Sequence, residues 1–263
     1  MKGTICYYSG SGNTKLASEY IAEKLKNADF STCNIVRNEI PDLSKYDIVG
    51  FATFTDFGDV PKYFYSFFDK INSFPGKNAF VFNTYGMVSG KTLKILENLA
   101  KAKQFNVISG YSLHTPESYI PMRVSKMTFD SSPNKKELDK FNRFISALDH
   151  TLENIQSGNK AEKSKIRIGI LNTIIVKIPR AKDKKDFGIQ NVNEERCTQC
   201  NICEEKCPYE AIHLDPYPIF DHTRCQGCWA CYNHCPEKAI YTKKYKGEGQ
   251  YPEPGKELIS KLA

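Results

Sequence analysis

Two stretches of this sequence share one pattern: CTQCNICEEKCP (197–208) and CQGCWACYNHCP (225–236). Each reads C-x2-C-x2-C-x3-C-P, and the second begins 28 residues after the first. The likeness continues past the cysteines, since Glu210-Ala211-Ile212 follows the first stretch and Lys238-Ala239-Ile240 the second. Thiolates at this spacing can curl a short loop around the corners of an iron–sulfur cube. The doubled pattern therefore predicts two iron–sulfur clusters in the C-terminal part of the chain.

Paired CxxC motifs also occur in structural zinc sites. Zinc is therefore the alternative to iron–sulfur clusters. A zinc site needs only four ligands, supplied as two pairs, so the third and fourth cysteines of each stretch would have no role. The doubled pattern closely resembles a two-cluster bacterial ferredoxin, in which the fourth cysteine of each run ligates the other cluster. The resemblance implies two [4Fe–4S] clusters with these ligands: Cys197, Cys200, Cys203 and Cys235 for the first, and Cys207, Cys225, Cys228 and Cys231 for the second.

The N-terminal part begins with a strand-like run at 4–8, followed by Ser9-Gly10-Ser11-Gly12-Asn13-Thr14 and an amphipathic helix. In such a strand–loop–helix unit, the backbone N–H groups at the start of the helix attract an anion. The loop lacks the Gly-Lys-Ser/Thr ending of a Walker A motif, and Lys15 stands where a dinucleotide fingerprint has its third glycine. The loop resembles the phosphate loop of flavodoxins, which implies that these six residues bind the phosphate of FMN. The alternative is a strand–helix turn without a ligand.

Further strand-like runs lie at 32–36, 47–52, 79–83 and 105–111, with helical stretches at about 61–72, 91–103 and 135–156. Strands that alternate with helices predict a doubly wound parallel sheet, whose ligand lies beyond the carboxyl ends of the strands. The predicted fold class is α/β, flavodoxin-like with strand order 2-1-3-4-5, followed by a small α+β domain of the bacterial ferredoxin type.

Polar and aromatic residues follow the third and fourth predicted strands, in the loops 53–61 and 83–90. The resemblance to flavodoxins implies that these loops enclose the isoalloxazine ring and that one aromatic side chain from each stacks on it. The candidates are Phe54 or Phe57, where flavodoxins more often carry tryptophan, and Tyr85. The other predicted flavin-site residues are Thr53, Thr55, Asn83, Thr84 and Gly86, with Tyr119 of the loop 113–121 as a cover. A histidine of that last loop, His114, is expected to be solvated rather than to handle protons.

Motifs and composition divide the chain into a flavodoxin-like FMN-binding domain (1–157), a basic linker (158–187), a two-cluster ferredoxin domain (188–245) and a tail (246–263). The linker contains nine Lys/Arg and three Asp/Glu, so it carries +6 of the net charge of +7. Its apolar run, 166–178, is too short to span a bilayer. The linker is predicted to dock between the domains, and the alternatives are a peripheral membrane anchor and a patch for an acidic partner.

The sequence also predicts the cellular compartment of the protein and the partners that it lacks. No apolar segment of a signal peptide follows Met1, and no apolar run reaches the length of a bilayer span. A reducing, anaerobic cytoplasm is therefore expected, with Cys6 and Cys33 as buried side chains. The basic residues are not interleaved with aromatic residues, so nucleic acid is not expected as a partner.

The chain as a whole resembles the flavodoxin–ferredoxin fusion proteins of anaerobes. The resemblance implies FMN, two [4Fe–4S] clusters and redox proteins as partners. The expected function is electron transfer within the chain between FMN and the clusters, which links one-electron carriers to a flavin-level partner. No catalytic residue is predicted, and the sequence leaves open whether the protein is an enzyme. The alternatives are a flavin-dependent reductase of a small substrate and a flavin-free ferredoxin with a docking domain.

Overall fold

The computed structural model describes residues 1–36, 38–164, 166 and 180–263, with the backbone alone at 180–183. The chain forms two compact units. Unit 1 contains Met1–Pro116, Phe129–Lys177 and Pro254–Ala263, and unit 2 contains Glu117–Thr128 and Ile178–Glu253. In contrast to the predicted division, residues 117–128 belong to the unit of the cysteine motifs and residues 254–263 to the unit of the parallel sheet. The linker run 166–178, with its predicted docking role, lies outside the described residues except for Ile166.

Unit 1 is built on a parallel sheet of five strands in the order β2-β1-β3-β4-β5, which confirms the predicted topology. The strands are β1 (Lys2–Tyr7), β2 (Asp29–Asn34), β3 (Ile48–Phe54), β4 (Asn78–Tyr85) and β5 (Asn106–His114). The described helices of this unit are α1 (Asn13–Lys24), α2 (Lys62–Lys70), α3 (Thr92–Ala102), α5 (Lys135–Gln156) and α9 (Lys256–Leu262), with a 3₁₀ turn at Leu43–Lys45.

Alternate residues of the central strands enter two different cores, because successive side chains of a strand point to opposite faces of the sheet. Ile5 and Phe80 belong to the core that also contains residues of α1 and α5. Their neighbours Cys6 and Val81 belong to the core that contains residues of α2 and α3. Cys6 is fully buried, as expected, whereas Cys33 is only half-buried. The sheet is therefore covered by helices on both faces.

The C-terminal tail completes the first of these cores. The sequence predicts one or two helical turns there, and α9 has this length. Leu258 is fully buried and Leu262 is 2% exposed, and both pack into the core beside Ala17 and Ile21 of α1. Burial of one such side chain contributes about 1.5–3 kcal/mol. The tail is therefore part of the flavodoxin-like unit.

Unit 2 contains two small antiparallel sheets, β6–β9 and β7–β8. Its strands are β6 (Asn191–Val192), β7 (Ile212–Asp215), β8 (Tyr217–Phe220) and β9 (Ile240–Tyr241). Its described helices are α4 (Ile120–Val124), α6 (Arg180–Phe187), α7 (Ile202–Glu205) and α8 (Ala230–His234). Ile120 is fully buried in one core with Trp229, Tyr232 and Tyr245. Across the described ranges, no helix has the length and apolar composition needed to cross a bilayer.

Candidate functional site

The loop between β1 and α1 forms a tight cradle. Gly12 has a φ of +93°, and its N–H donates to Ser9 Oγ at 3.0 Å. A Cβ on Gly12 would lie 2.5 Å from Cδ of Pro254, so glycine is required both by the backbone conformation and by the approach of the tail. Ser11 and Thr14 are buried within the same loop. The first N–H groups of α1 face this cradle, as an anion site requires.

Two side chains of the cradle connect it to the neighbouring strand ends. Thr14 Oγ1 lies 2.8 Å from Thr84 Oγ1, at the end of β4. Asn13 Nδ2 donates to the carbonyl oxygen of Pro116 at 2.9 Å, shortly after the end of β5. The phosphate-loop candidates therefore lie at the same edge of the sheet as the predicted flavin loops, which is where an open α/β sheet binds its ligand.

The loops that follow β3 and β4 are in direct contact. The Thr55 N–H donates to Thr84 O at 2.8 Å, and a Cβ on Gly90 would lie 2.3 Å from Cα of Gly58. Asn83 is fully buried: its amide nitrogen donates to Thr55 Oγ1 at 2.9 Å and its amide oxygen accepts from Ser112 Oγ at 2.6 Å. These bonds fix the Asn83 side chain from both ends. Its predicted contact with the flavin stays a prediction.

The aromatic candidates of the two loops differ in their packing. The Phe54 ring meets Tyr8 edge to face, with ring centroids 5.0 Å apart. The Tyr85 ring stacks on the His114 ring, with centroids 5.2 Å apart and planes inclined by 13°. Burial, and then the negative charge of Glu137, raise the pKa of Tyr85. Tyr85 therefore stays protonated at neutral pH and has a fixed ring plane.

His114 is held by side chains of the same unit. Its Nδ1 lies 3.0 Å from Glu137 Oε1 and 3.1 Å from Ser132 Oγ, and 18% of its side chain is exposed. Glu137 is itself fixed because it completes a capping box with Asn134 at the start of α5. The expectation of a solvated histidine is therefore wrong, and His114 serves as the support beneath Tyr85.

Tyr119 lies in unit 2, where its ring meets Phe187 and Trp229 with centroids 6.3 Å away in each case. In the loop 113–121, Thr115 is 2% exposed and Ile120 is fully buried. The predicted role of Tyr119 as a flavin cover stays a prediction.

The residues present fit FMN. A cradle of hydroxyl groups and helix-start N–H groups suits a phosphate. The Thr53 hydroxyl, at the end of β3 where the flavin is predicted, is buried and has no hydrogen-bond partner among the described residues. Phe54, Phe57, Tyr85 and Gly86 follow on the same two loops. Which of these groups touch the flavin stays a prediction.

The cysteines of unit 2 line two separate recesses. Cys197, Cys200, Cys203 and Cys235 line the first, which has an empty volume of about 340 Å³. Cys207, Cys225, Cys228 and Cys231 line the second, of about 310 Å³. Each recess thus combines three cysteines of one motif with the fourth of the other motif. These are the two ligand sets that the resemblance implies, and as ligand sets they remain proposals.

The 28-residue repeat of the sequence is also a repeat of the backbone. Positive φ angles occur at 199 and 227, at 201 and 229, and at 210 and 238. The Ala211 N–H donates to Cys207 Sγ at 3.3 Å, and the equivalent Ala239 N–H donates to Cys235 Sγ at 3.2 Å. Such N–H donors are what the sulfurs of an iron–sulfur cluster accept.

Two of the candidate ligand thiols are buried, and their burial favours binding to iron. Burial raises the pKa of Cys203 to about 11 and raises the pKa of Cys231 well above its ordinary value. A buried thiolate therefore needs a compensating cation, which cluster iron supplies.

The indole N–H of Trp229, in the wall of the second recess, is buried with no acceptor among the described residues. Within those same ranges, no three His, Cys, Asp or Glu side chains converge as ligands of a single metal ion.

Two residues at these sites, Pro254 and Gln190, were not predicted from the sequence. Pro254 touches the phosphate loop across more than 240 positions of the chain. Gln190, 2% exposed, contacts Cys225 from outside both cysteine motifs. The 28-residue repeat is the signal that could have located Gln190, because positions 190 and 218 correspond outside the cysteine motifs.

Comparisons with known proteins agree with these two sites. A family model described as a flavodoxin domain matches residues 4–117. A family model described as a 4Fe-4S binding domain matches residues 191–213 and again residues 218–241. The first match covers the phosphate loop and both flavin loops, and the second covers all eight cysteines of the recesses.

Relatives resemble the N-terminal part of the chain. The uncharacterized protein MJ0298 of Methanocaldococcus jannaschii is 28% identical over 151 residues, which is 56% of this chain and 98% of that protein. A solved flavodoxin from the domain Archaea is 18% identical, with a TM-score of 0.44 over 58% of this chain and 99% of its own. Flavodoxin 1 of Bacillus cereus is 21% identical, with a TM-score of 0.42 over 56% of this chain and 95% of its own.

The two domains determine the cofactors and the general function. A flavodoxin domain binds FMN, and a 4Fe-4S domain with two matched segments holds two [4Fe–4S] clusters. FMN exchanges one or two electrons, and each cluster exchanges one. The protein is therefore an electron-transfer protein, and its chain is a flavodoxin–ferredoxin fusion.

Proposed function

We propose that this protein transfers electrons within one chain between FMN and two [4Fe–4S] clusters. One observation carries the proposal, and it concerns the segment after β5. Asn13, in the phosphate loop, donates to Pro116 O at 2.9 Å. Asn233, between the ligand candidates Cys231 and Cys235, donates to Ser118 O at 3.2 Å. The two acceptors, Pro116 and Ser118, are two residues apart in the sequence.

This arrangement has a consequence for electron transfer. The contact of the phosphate loop and the contact of the segment between Cys231 and Cys235 thus fall on one short stretch of sequence, 116–118. Because both domains belong to one chain, exchange between their cofactors needs no encounter of two proteins. The FMN would link two-electron chemistry to the one-electron steps of the clusters. The protein would thus connect low-potential one-electron carriers to a flavin-level partner.

The partners we propose are redox proteins. The ferredoxin part carries a net charge of −2 from its side chains, and the preceding segment 158–187 carries +6. A charged surface of this kind attracts a redox partner whose surface carries the opposite charge, and so speeds their encounter. We also place the protein in an anaerobic cytoplasm, because eight cluster thiolates need a reducing compartment.

The test uses the full chain, purified and kept without oxygen. About eight irons and one FMN per chain are expected. After rapid mixing with a one-electron donor, the clusters should bleach first and FMN absorbance should fall afterwards. In a matched Cys200→Ala/Cys228→Ala variant that retains FMN but lacks both clusters, flavin reduction should slow by more than tenfold. Equal rates of flavin reduction in the two proteins would refute transfer through the clusters.

A further inference from the structure

The two recesses are related by the 28-residue repeat, but their walls differ in polarity. Position 190 in the wall of the second recess corresponds to position 218 in the wall of the first, and position 209 corresponds to position 237. The second recess therefore has Gln190 and Tyr209 where the first has Pro218 and Glu237. Because the two recesses are repeats of each other, residues at equivalent positions of the two predicted cluster sites can be compared directly.

Gln190 lies against the second cluster site. The residue is 2% exposed, and its amide oxygen, Oε1, accepts from the Cys225 thiol at 3.6 Å. A cysteine that ligates iron has no S–H proton, so this contact becomes a hydrogen bond only when the amide presents its NH₂ group to the sulfur. Pro218, at the equivalent position of the first recess, has no side-chain donor.

Lys184 supplies a positive charge to the same site. Its ammonium group donates to the carbonyl oxygen of Cys225 and, at 3.4 Å, to that of His222. The ammonium is thus fixed on the backbone of a ligand candidate. The first recess is instead lined by Glu237, an exposed acidic residue.

Reduction adds one negative charge to a [4Fe–4S] cluster. N–H donors to sulfur and nearby cations stabilise that added charge, whereas a nearby carboxylate opposes it. We infer that the cluster held by Cys207, Cys225, Cys228 and Cys231 has the higher reduction potential, and that Lys184 and Gln190 set the difference. The first electron to enter the ferredoxin domain then resides on this cluster. The inference depends on the two clusters but not on the proposed transfer to FMN.

The experiment is a potentiometric titration of the full-length, iron-loaded protein, followed by the EPR signal of the reduced clusters. The wild type should show two separate one-electron waves. Lys184→Met and Gln190→Leu should each shift the higher wave to lower potential and leave the lower wave in place. Glu237→Gln should shift the lower wave to higher potential. Flavin and iron contents, measured in parallel, keep a failure of FMN transfer distinct from a failure of this inference.

Two controls test the role of the charge itself. Lys184→Arg retains the cation and should retain the higher wave of the wild type. Lys185→Met removes a charge from the exposed neighbouring residue of α6 and should shift neither wave. A single wave in the wild type would overturn the inference. So would a shift of the same wave by Gln190→Leu and Glu237→Gln, because these residues would then act on one cluster.

Discussion

The hydroxyl groups of Thr14 and Thr84 lie 2.8 Å apart and join the first turn of α1 to the end of β4. Both residues are 1% exposed, so neither hydroxyl is free to rotate into solvent. The contact brings a phosphate-loop residue and a flavin-loop residue together, although 70 positions separate them in the chain. It fixes the distance between the two halves of the predicted FMN site.

We expect Thr14→Val to weaken FMN binding by about 10- to 100-fold, because a hydrogen bond to a charged group contributes roughly 1.5–3 kcal/mol. Thr84→Val should weaken binding less, since Thr84 acts by orienting Thr14. The measurement is quenching of FMN fluorescence on titration of the flavin-depleted protein. Ser31→Ala, an exposed hydroxyl of β2, is the control. An unchanged dissociation constant for Thr14→Val would remove Thr14 from the phosphate site.

Gly12→Ala should destabilise unit 1 more than Gly76→Ala does. Both glycines have positive φ angles, +93° and +75°, and alanine in that region costs roughly 1–2 kcal/mol. Only Gly12 has a neighbour, Pro254, within 4 Å of the added Cβ. Thermal release of FMN, followed by its fluorescence, measures the difference. Equal melting temperatures for the two variants would mean that Pro254 does not lie in contact with the phosphate loop.

Leu258→Ala should destabilise unit 1 by about 2–5 kcal/mol, as expected for truncation of a buried leucine. Its neighbour Ile259 is 43% exposed, so Ile259→Ala should change the free energy of unfolding by only about 0.5 kcal/mol. The same thermal release of FMN reports both variants. If the two behave alike, α9 does not pack on α1 in solution.

The crossed arrangement of the cysteines can be tested with pairs of substitutions. In the double variant Cys203→Ala/Cys235→Ala, both changes fall on one recess, so one cluster and about four irons should remain. In Cys203→Ala/Cys207→Ala, the changes fall on both recesses, so both clusters should be damaged. Iron content and EPR distinguish the outcomes. The reverse result would mean that each motif holds its own cluster.

Ile120→Ala should reduce the retention of cluster iron during unfolding by heat, because it opens a cavity in the core beside Trp229. Met127, in the same segment, is 42% exposed, and Met127→Ala is the control. Loss of cluster absorbance on heating is the measurement. Equal loss from the two variants would show that unit 2 does not depend on residues 117–128.

Local patterns predicted most of the architecture. The order of the five strands follows from strands that alternate with helices, since such units join in few ways. The ends of β3, β4 and β5 extend two or three residues beyond the predicted runs. Polar residues occur in these added parts, such as Ser112 of β5, whose hydroxyl donates to Asn83 Oδ1 of β4 at 2.6 Å. The predicted start of β2 at 32 is three residues late, since Asp29, Phe30 and Ser31 also pair with β1, although Asp29 and Ser31 are polar.

The cofactors could be predicted from local sequence patterns, because cysteine spacing and a glycine-rich loop are short-range features that carry their chemistry within about 12 residues. The segments that complete each unit could be identified only from the packing of the folded chain. Ile120 enters the core of unit 2, and Leu258 enters the core of unit 1. A buried apolar side chain is favourable in any core of the right shape, since the hydrophobic effect has no direction. The choice of core therefore depends on contacts between residues far apart in the chain, which no local pattern records.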